Sequence, residues 1–220
     1  CDQAVCYKRP SEELTRLNQL EAERTLYLVD LSKYKAQLTD QKDFMPKALY
    51  KDKSSRLKML IKSLEQVLKA IEDEMNRIIE STKILSRQMD LLTSIDGIGR
   101  VVAMNMIIAT EAFTRFDNPR QFCCYAGVAP FAYTSGSSQH SKNRVSQRAC
   151  KYIKTLLHMS AVAITHRKSG ELKAYYERKV DEGKNKMTII NALRAKLVAR
   201  MFAVIKRDEF YSPILSENFC

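Results

Sequence analysis

Leu57, Leu64, Ile71, Ile78 and Leu85 repeat at a strict spacing of seven, and an apolar residue at every seventh position keeps to one face only in a helix wound against another helix. Leu60 and Val67 accompany them, drifting to Met75, as expected when a straighter helix slips against a seven-residue repeat. Upstream, Ser11 followed by Glu12 and Glu13 marks a helix start, with a capping hydroxyl and acids in the first turn. Leu17, Leu20, Tyr27, Leu31, Tyr34 and Leu38 then form a second seam, interrupted by Arg24 and running to about residue 44. Between the two seams "DFMPKALYKDKSSR" holds Pro46 in a basic, serine-containing stretch that reads as a reversal. Residues 1–90 therefore read as a long antiparallel helical hairpin, a coiled coil. Seam spacing does not say which chain supplies the partner helix, so an intramolecular pair and a dimerisation coil both remain open.

Near Leu91 the pattern changes to "LLTSIDGIGRVVAMNMIIAT". Gly97 and Gly99 flank one aliphatic residue between two helical patterns, which reads as a tight hairpin between short helices, with the second helix beginning at Arg100. Such a helix-hairpin-helix exposes backbone amides and a positive dipole end, and can hold a DNA phosphate without reading a base. Glycines in this pattern also serve plain helix packing, and the motif alone does not choose between the two.

Further on, Asn118 caps and Pro119 opens a short helix that Gly127 ends, with Pro130 blocking its continuation. After a loop, Ala149, Ile153, Leu156, Leu157, Ser160 and Ile164 describe an amphipathic helix from about Ser146, with Arg148, Lys151 and Lys154 on or beside its polar face. "SGELKAYYERKVDEGKNK" reads as a helix ended by Gly183, and "MTIINALRAKLVARMFAVIKR" as a last, strongly apolar one. Only "VAPFAYTS" can be extended, and it is too short to found a sheet. The fold class is all-α: the hairpin over 1–90, a small helical domain containing the helix-hairpin-helix over 91–210, and a tail over 211–220.

Charge narrows the partners. The formal net charge is +12 with 28% charged residues, a field that favours polyanions, and nucleic acid suits it better than an anionic membrane surface. No apolar run approaches the roughly 18 residues of a membrane span and no signal peptide opens the chain, so a cytoplasmic, nucleoid-associated protein is expected. The cysteines Cys1, Cys6, Cys123, Cys124, Cys150 and Cys220 show no CxxC pairing, which favours reduced thiols over a disulfide framework or a zinc site. Cys1 without an initiating methionine points to a piece of a longer protein.

From Asn118 to Gly170 there is no aspartate or glutamate, although 25 acids in 220 residues would place about six in a stretch of that length. Arg120, Lys142, Arg144, Arg148, Lys151, Lys154, Arg167 and Lys168 persist there. Unopposed positive charge around a loop of small residues, "TSGSSQHSKNRVSQR", suits a phosphodiester backbone and rules out a carboxylate-bound metal from that stretch itself. A serine attacking phosphate needs a proton acceptor, donors for the equatorial oxygens and in-line placement, and arginines meet the second need. Ser135, ahead of Gly136, is the best placed, because the glycine lets a DNA backbone come close. His140 is near in sequence but reads as a solvated loop histidine. His158 and His166 lack the companions of a metal site. Tyr125 and Tyr133 are rival nucleophiles, with Tyr125 more at home as a packing residue.

Several ordered blocks carry a resemblance: "LLTSIDGIG", "RFDNPRQFCCYAGVAPFAYTSGSS", "RVSQRACKYIKTLLHMSA" and "YYERKVDEGKNK...NALRAKLVARMFAVIKR". From about residue 91 to 207 the chain resembles the C-terminal part of DEDD-type insertion-sequence transposases, relatives of the Piv DNA invertase in insertion-sequence family one-ten. The preceding hairpin resembles the coil that joins this part to the family's N-terminal domain. The resemblance implies DNA strand exchange by a two-part active site, in which an RNase H-like domain supplies four acids that bind divalent metal, Mg, and the C-terminal domain supplies a serine that attacks DNA. Ser135 matches that serine, with Ser137 and Ser138 as alternates. Gly97 and Gly99 match the family's hairpin glycines; with Arg100 at the helix start and Lys142, Arg144, Arg148 and Lys151 of the acid-free stretch, they are the expected DNA contacts. Where many relatives have "SKRG", this chain has Ser146-Gln147-Arg148-Ala149. No cofactor is expected in this chain itself. Expected partners are DNA, a structured noncoding guide RNA as in some members, and a second copy through the coil. Without the acid cluster the chain is expected to bind DNA but not to cleave it unaided, and a non-catalytic nucleic-acid-binding and dimerisation module is the alternative.

Overall fold

The computed structural model of the chain describes residues 10–129, 134–135, 139–140 and 149–212, the four residues at 134–135 and 139–140 by their backbone only. It is all-α apart from one two-residue strand pair, with eight helices among the described residues. The chain divides into two units, 1–83 and 84–220.

In the first unit, α1 (Glu12–Asp40) and α2 (Lys47–Ser81) pack against each other. Ser11 caps α1 as its pattern predicts, its hydroxyl oxygen accepting from the Leu14 N–H at 3.3 Å. The reversal is shorter than the sequence suggests: α1 stops at Asp40 and α2 resumes at Lys47, directly after Pro46, so the basic stretch after the proline is helical. Cross-helix pairs run antiparallel, Arg16 to Glu74 at 2.7 Å, Arg24 to Glu72 at 2.8 Å and Lys35 to Glu65 at 2.8 Å. Within this chain α1 and α2 are each other's partners, and Arg24, the break in the α1 seam, is held by an acid of the facing helix. Exposed ion pairs contribute about 0–1 kcal/mol each, against roughly 1.5–3 kcal/mol for each fully buried aliphatic side chain. The stability of the hairpin comes from Leu17, Leu20, Leu31, Leu57, Leu68, Ile71, Met75 and Ile79; the charges select its register.

Leu60 and Val67 are not in that seam. They remain 49% and 41% exposed, whereas Leu68 and Met75, four residues after Leu64 and Ile71, are buried. Both sides of the seven-residue column carry apolar residues, and α1 covers only one of them. Leu85 also departs from the expected continuous helix, because α2 ends at Thr82 in extended geometry, φ −105° and ψ 107°, and Leu85 lies in the separate helix α3 (Lys83–Thr93).

In the second unit, residues 94–99 join α3 to α4 (Arg100–Ala109), and α5 (Pro119–Tyr125), α6 (Lys151–Thr165), α7 (Glu171–Asp181) and α8 (Lys186–Arg207) follow. α8 is the centre: α5, α6 and α7 all pack on it, and α4 packs on α6. Its buried row, Ile189, Leu193, Leu197, Val198, Met201 and Val204, has the spacing of one helical face. α6 starts at Lys151 rather than near Ser146, with Cys150 at its cap position. Between α4 and α5 the sequence offers no glycine, yet Glu111, Ala112 and Phe113 have φ of 50°, 55° and 63°. Three non-glycine residues in the left-handed region cost about 1–2 kcal/mol each. They are held by Thr110, whose Oγ1 accepts from the Phe113 N–H at 3.0 Å, and by Gln88, whose Nε2 donates to the Ala112 carbonyl at 3.0 Å. Phe113 then meets Phe202 of α8 edge-on at 5.0 Å.

Candidate nucleic-acid interface

The acid-free segment is tied down at its base. α5 begins as its residues predict, with Asn118 Oδ1 accepting from the Gln121 N–H at 3.0 Å and Pro119 at the first helical position. It ends at Gly127, φ +65°, where a side chain would be strained. The chain leaves with Val128 N–H bonded to the Cys123 carbonyl at 2.9 Å and returns with Cys150 N–H bonded to the Tyr125 carbonyl at 2.9 Å. The described ends of the segment between α5 and α6 are thus held against α5. Within it β1 (Thr134–Ser135) pairs antiparallel with β2 (Gln139–His140), Thr134 opposite His140 and Ser135 opposite Gln139. Ser135 thus belongs to a paired backbone segment, and its register partner is Gln139, not His140. Ser137, Ser138, Lys142, Arg144, Arg148 and Tyr133 lie outside the described residues.

Lys151 is the first residue of α6 and exposed, so the chain re-enters the described fold with a cation at the positive end of a helix. Tyr125 is a packing residue. Its ring lies 5.4 Å from Phe116 and 5.8 Å from Phe122, with the Arg115 guanidinium 5.0 Å away. Burial, reinforced by the neighbouring Cys150 thiol, holds its hydroxyl above the ordinary tyrosine value despite Arg115, which disfavours the phenolate that nucleophilic attack requires.

The two glycines of the α3–α4 turn differ. Gly97 has φ +88°, and a Cβ there would meet Ile164 Cγ1 at 2.7 Å and Cδ1 at 2.8 Å. It permits the turn to press on α6, and Ile98 beside it is buried. Gly99 caps α4 in extended geometry, φ −89° and ψ 171°, and nothing lies within 4 Å of where its Cβ would be. Arg100 follows it, exposed. Packing therefore accounts for Gly97, while Gly99 leaves the N-terminal amides of α4 approachable. The adjoining acid, Asp96, is bound by Arg167 at 3.0 Å.

One cluster escaped the sequence reading. Arg194 of α8 is 6% exposed; its Nη2 donates to His158 Nδ1 of α6 at 2.8 Å and its Nη1 to Asn191 Oδ1 at 3.4 Å. Asn191 Nδ2 in turn donates to the Val128 carbonyl at the base of the loop, 3.0 Å away. Among the described residues Arg194 has no carboxylate partner, and its Nε is buried without a hydrogen bond. The position was readable in principle, since Arg194 sits next to Leu193 and four and three residues before Val198 and Leu197 on the apolar face of α8. No group of three or more His, Cys, Asp or Glu side chains among the described residues is arranged to hold a metal. No helix among them is long and apolar enough to cross a membrane.

Residues 89–177 match the family model described as transposase IS116/IS110/IS902 family. The chain is similar to the pilin gene-inverting proteins of Moraxella bovis and Moraxella lacunata, 26% and 25% identical over 147 residues that cover 67% of this chain and 46% of each relative. It is also similar to an insertion element IS110 uncharacterized 43.6 kDa protein of Streptomyces coelicolor, 24% identical over 143 residues, 65% of this chain and 34% of that protein. The chain spans less than half the length of these curated relatives. The matched segment and these relatives together make the chain similar, over residues 89–177, to the IS116/IS110/IS902 transposases and to the gene-inverting proteins.

Proposed function

We propose that this chain is the DNA-binding and serine-bearing part of a transposase or site-specific DNA recombinase. The match of residues 89–177 to the transposase family, in a segment that lacks any acid from 118 to 170, carries this reading. Ser135 is the nucleophile, with Ser137 and Ser138 as alternates. Its hydroxyl oxygen forms a new bond to a DNA phosphorus while one bridging oxygen departs with the cleaved strand and ends with the proton the serine gives up, and Lys142, Arg144, Arg148 and Lys151 neutralise the non-bridging oxygens. Gly99 and Arg100 hold a neighbouring phosphate at the start of α4, in the manner of a helix-hairpin-helix.

The described residues do not fit a divalent metal, so no step is assigned to one here; Mg is proposed to act from a separate acid-bearing domain. A structured noncoding RNA is a further proposed partner. Self-association through the hairpin is supported by Met59, Leu60 and Val67, which α1 leaves uncovered. The test is Ser135→Ala in the full-length recombinase: strand exchange and the covalent protein–DNA adduct should vanish while DNA affinity stays within a few-fold. Retained exchange would assign the chain to the alternative, a non-catalytic nucleic-acid-binding and dimerisation module.

A further inference from the structure

A cleft of about 340 Å³ lies on the second unit, between α8 and the segment 209–212 that follows it. Its floor carries more cations than acids. Lys196, Arg200 and Arg207 line it from α8 with the small side chains of Ala199 and Ala203, against the carboxylates of Glu171 and Glu209. Its wall is aromatic, formed by Phe210 and Tyr211.

The wall is built, not incidental. Asp208 ends α8 in the left-handed region, φ +54°, and turns the chain back. Arg87 then fixes that turn, Nε to Asp208 Oδ1 at 2.8 Å and Nη2 to the Asp208 carbonyl at 2.7 Å. Tyr211 is held twice, its N–H donating to Ser94 Oγ at 2.9 Å and its hydroxyl to Glu171 Oε2 at 3.0 Å. Arg200 is bonded to the same Glu171 at 2.7 Å and lies 5.0 Å from the Tyr211 ring. Glu171 is thereby neutralised, while Lys196 and Arg207 make no ion pair among the described residues, Lys196 lying 4.6 Å from the Tyr175 ring. Phe210 stays 57% exposed although Arg87 lies against its ring, 4.8 Å from the centroid.

A positively charged trough beside an aromatic ring fixed in place but open to solvent is what an unpaired nucleotide requires, because its base needs a flat apolar face and its phosphate a cation. Duplex DNA cannot use the ring, since its bases are stacked on each other. The volume, near the lower end for ligand sites, suits one nucleotide rather than an extended strand. We propose that this cleft is a subsite for single-stranded nucleic acid, in which one base stacks on Phe210 and the adjoining phosphate lies on Lys196 and Arg207. None of its lining residues belongs to the serine segment, and it does not depend on Ser135 being a nucleophile.

The experiment measures binding of the whole chain to labelled oligo(dT) and oligo(rU) of about ten nucleotides and to a mixed-sequence duplex. Phe210→Ala should weaken oligonucleotide binding at least about five-fold and leave duplex binding within about two-fold, with Phe210→Tyr restoring it. Lys196→Ala and Arg207→Ala should each make the oligonucleotide salt dependence shallower by about 0.7 in log–log slope. Preference between oligo(dT) and oligo(rU) assigns the strand to DNA or RNA, and Phe210-dependent binding of either supports the subsite. No single-strand binding by the wild type, unchanged binding by Phe210→Ala, or a parallel loss on duplex would overturn it. Duplex binding by the wild type separately tests the DNA reading of the serine domain, so the two can fail independently.

Discussion

Arg194 Nη2 donates to His158 Nδ1 across α8 and α6 at 2.8 Å. An arginine is always a donor, so the imidazole must be neutral and must carry its proton on Nε2. Burial and then the Arg194 charge both lower the His158 pKa from its ordinary value. The unfolded chain therefore takes up a proton at about pH 6.5 before the folded chain does, and folding stability falls as pH drops from there through the lower folded value. Thermal melts should show this loss between neutral and mildly acidic pH, and His158→Gln, which keeps an acceptor but cannot titrate, should flatten it. An equally steep dependence in His158→Gln would locate the titration elsewhere.

Gly97→Ala and Gly99→Ala should behave differently in denaturant unfolding. At Gly97 the new Cβ meets Ile164 under 3 Å in a left-handed backbone, which costs roughly 1–3 kcal/mol from overpacking alone. At Gly99 the space is open and φ is negative, so the change should lie within about 0.5–1 kcal/mol. Equal losses would contradict the distinct roles of the two glycines.

The covered side of α2 is also open to test. Leu68→Ala should cost about 2–5 kcal/mol, whereas Leu60→Ala should stay within roughly 0.5 kcal/mol. If the uncovered stripe joins two copies, Leu60→Glu with Val67→Glu should lower the mass measured by light scattering without unfolding the hairpin. An unchanged mass would exclude self-association through that face.

Duplex DNA affinity should fall steeply with salt, and Arg144→Ala or Lys151→Ala should each make the log–log slope shallower by about one unit. An unchanged slope removes that residue from the phosphate contacts.

Helix starts and stops were legible wherever a single turn of chain decides them. Ser11 and Asn118 cap their helices because the hydroxyl or amide bonds an N–H three residues on, and Gly127 and Gly183 end theirs at positive φ. The hairpin was legible too, since two apolar seams with a proline-marked reversal can bury themselves only against each other. The similarity to the transposases was legible from residues in order, since a resemblance needs no coordinates. The left-handed run Glu111–Phe113 was not, because no local preference favours it and its anchors, Gln88 and Phe202, are distant in sequence.

By itself, then, the amino-acid order determined the all-α class, the hairpin and the acid-free cationic segment, because periodicity, capping and charge act over a few neighbouring residues. Tertiary structure alone decided that α1 covers Leu68 and not Val67, that Gly97 serves packing while Gly99 stays open, and that Arg194 is buried against a neutral histidine. Each of these depends on which remote surface arrives beside the residue, a choice made by the packing of whole helices.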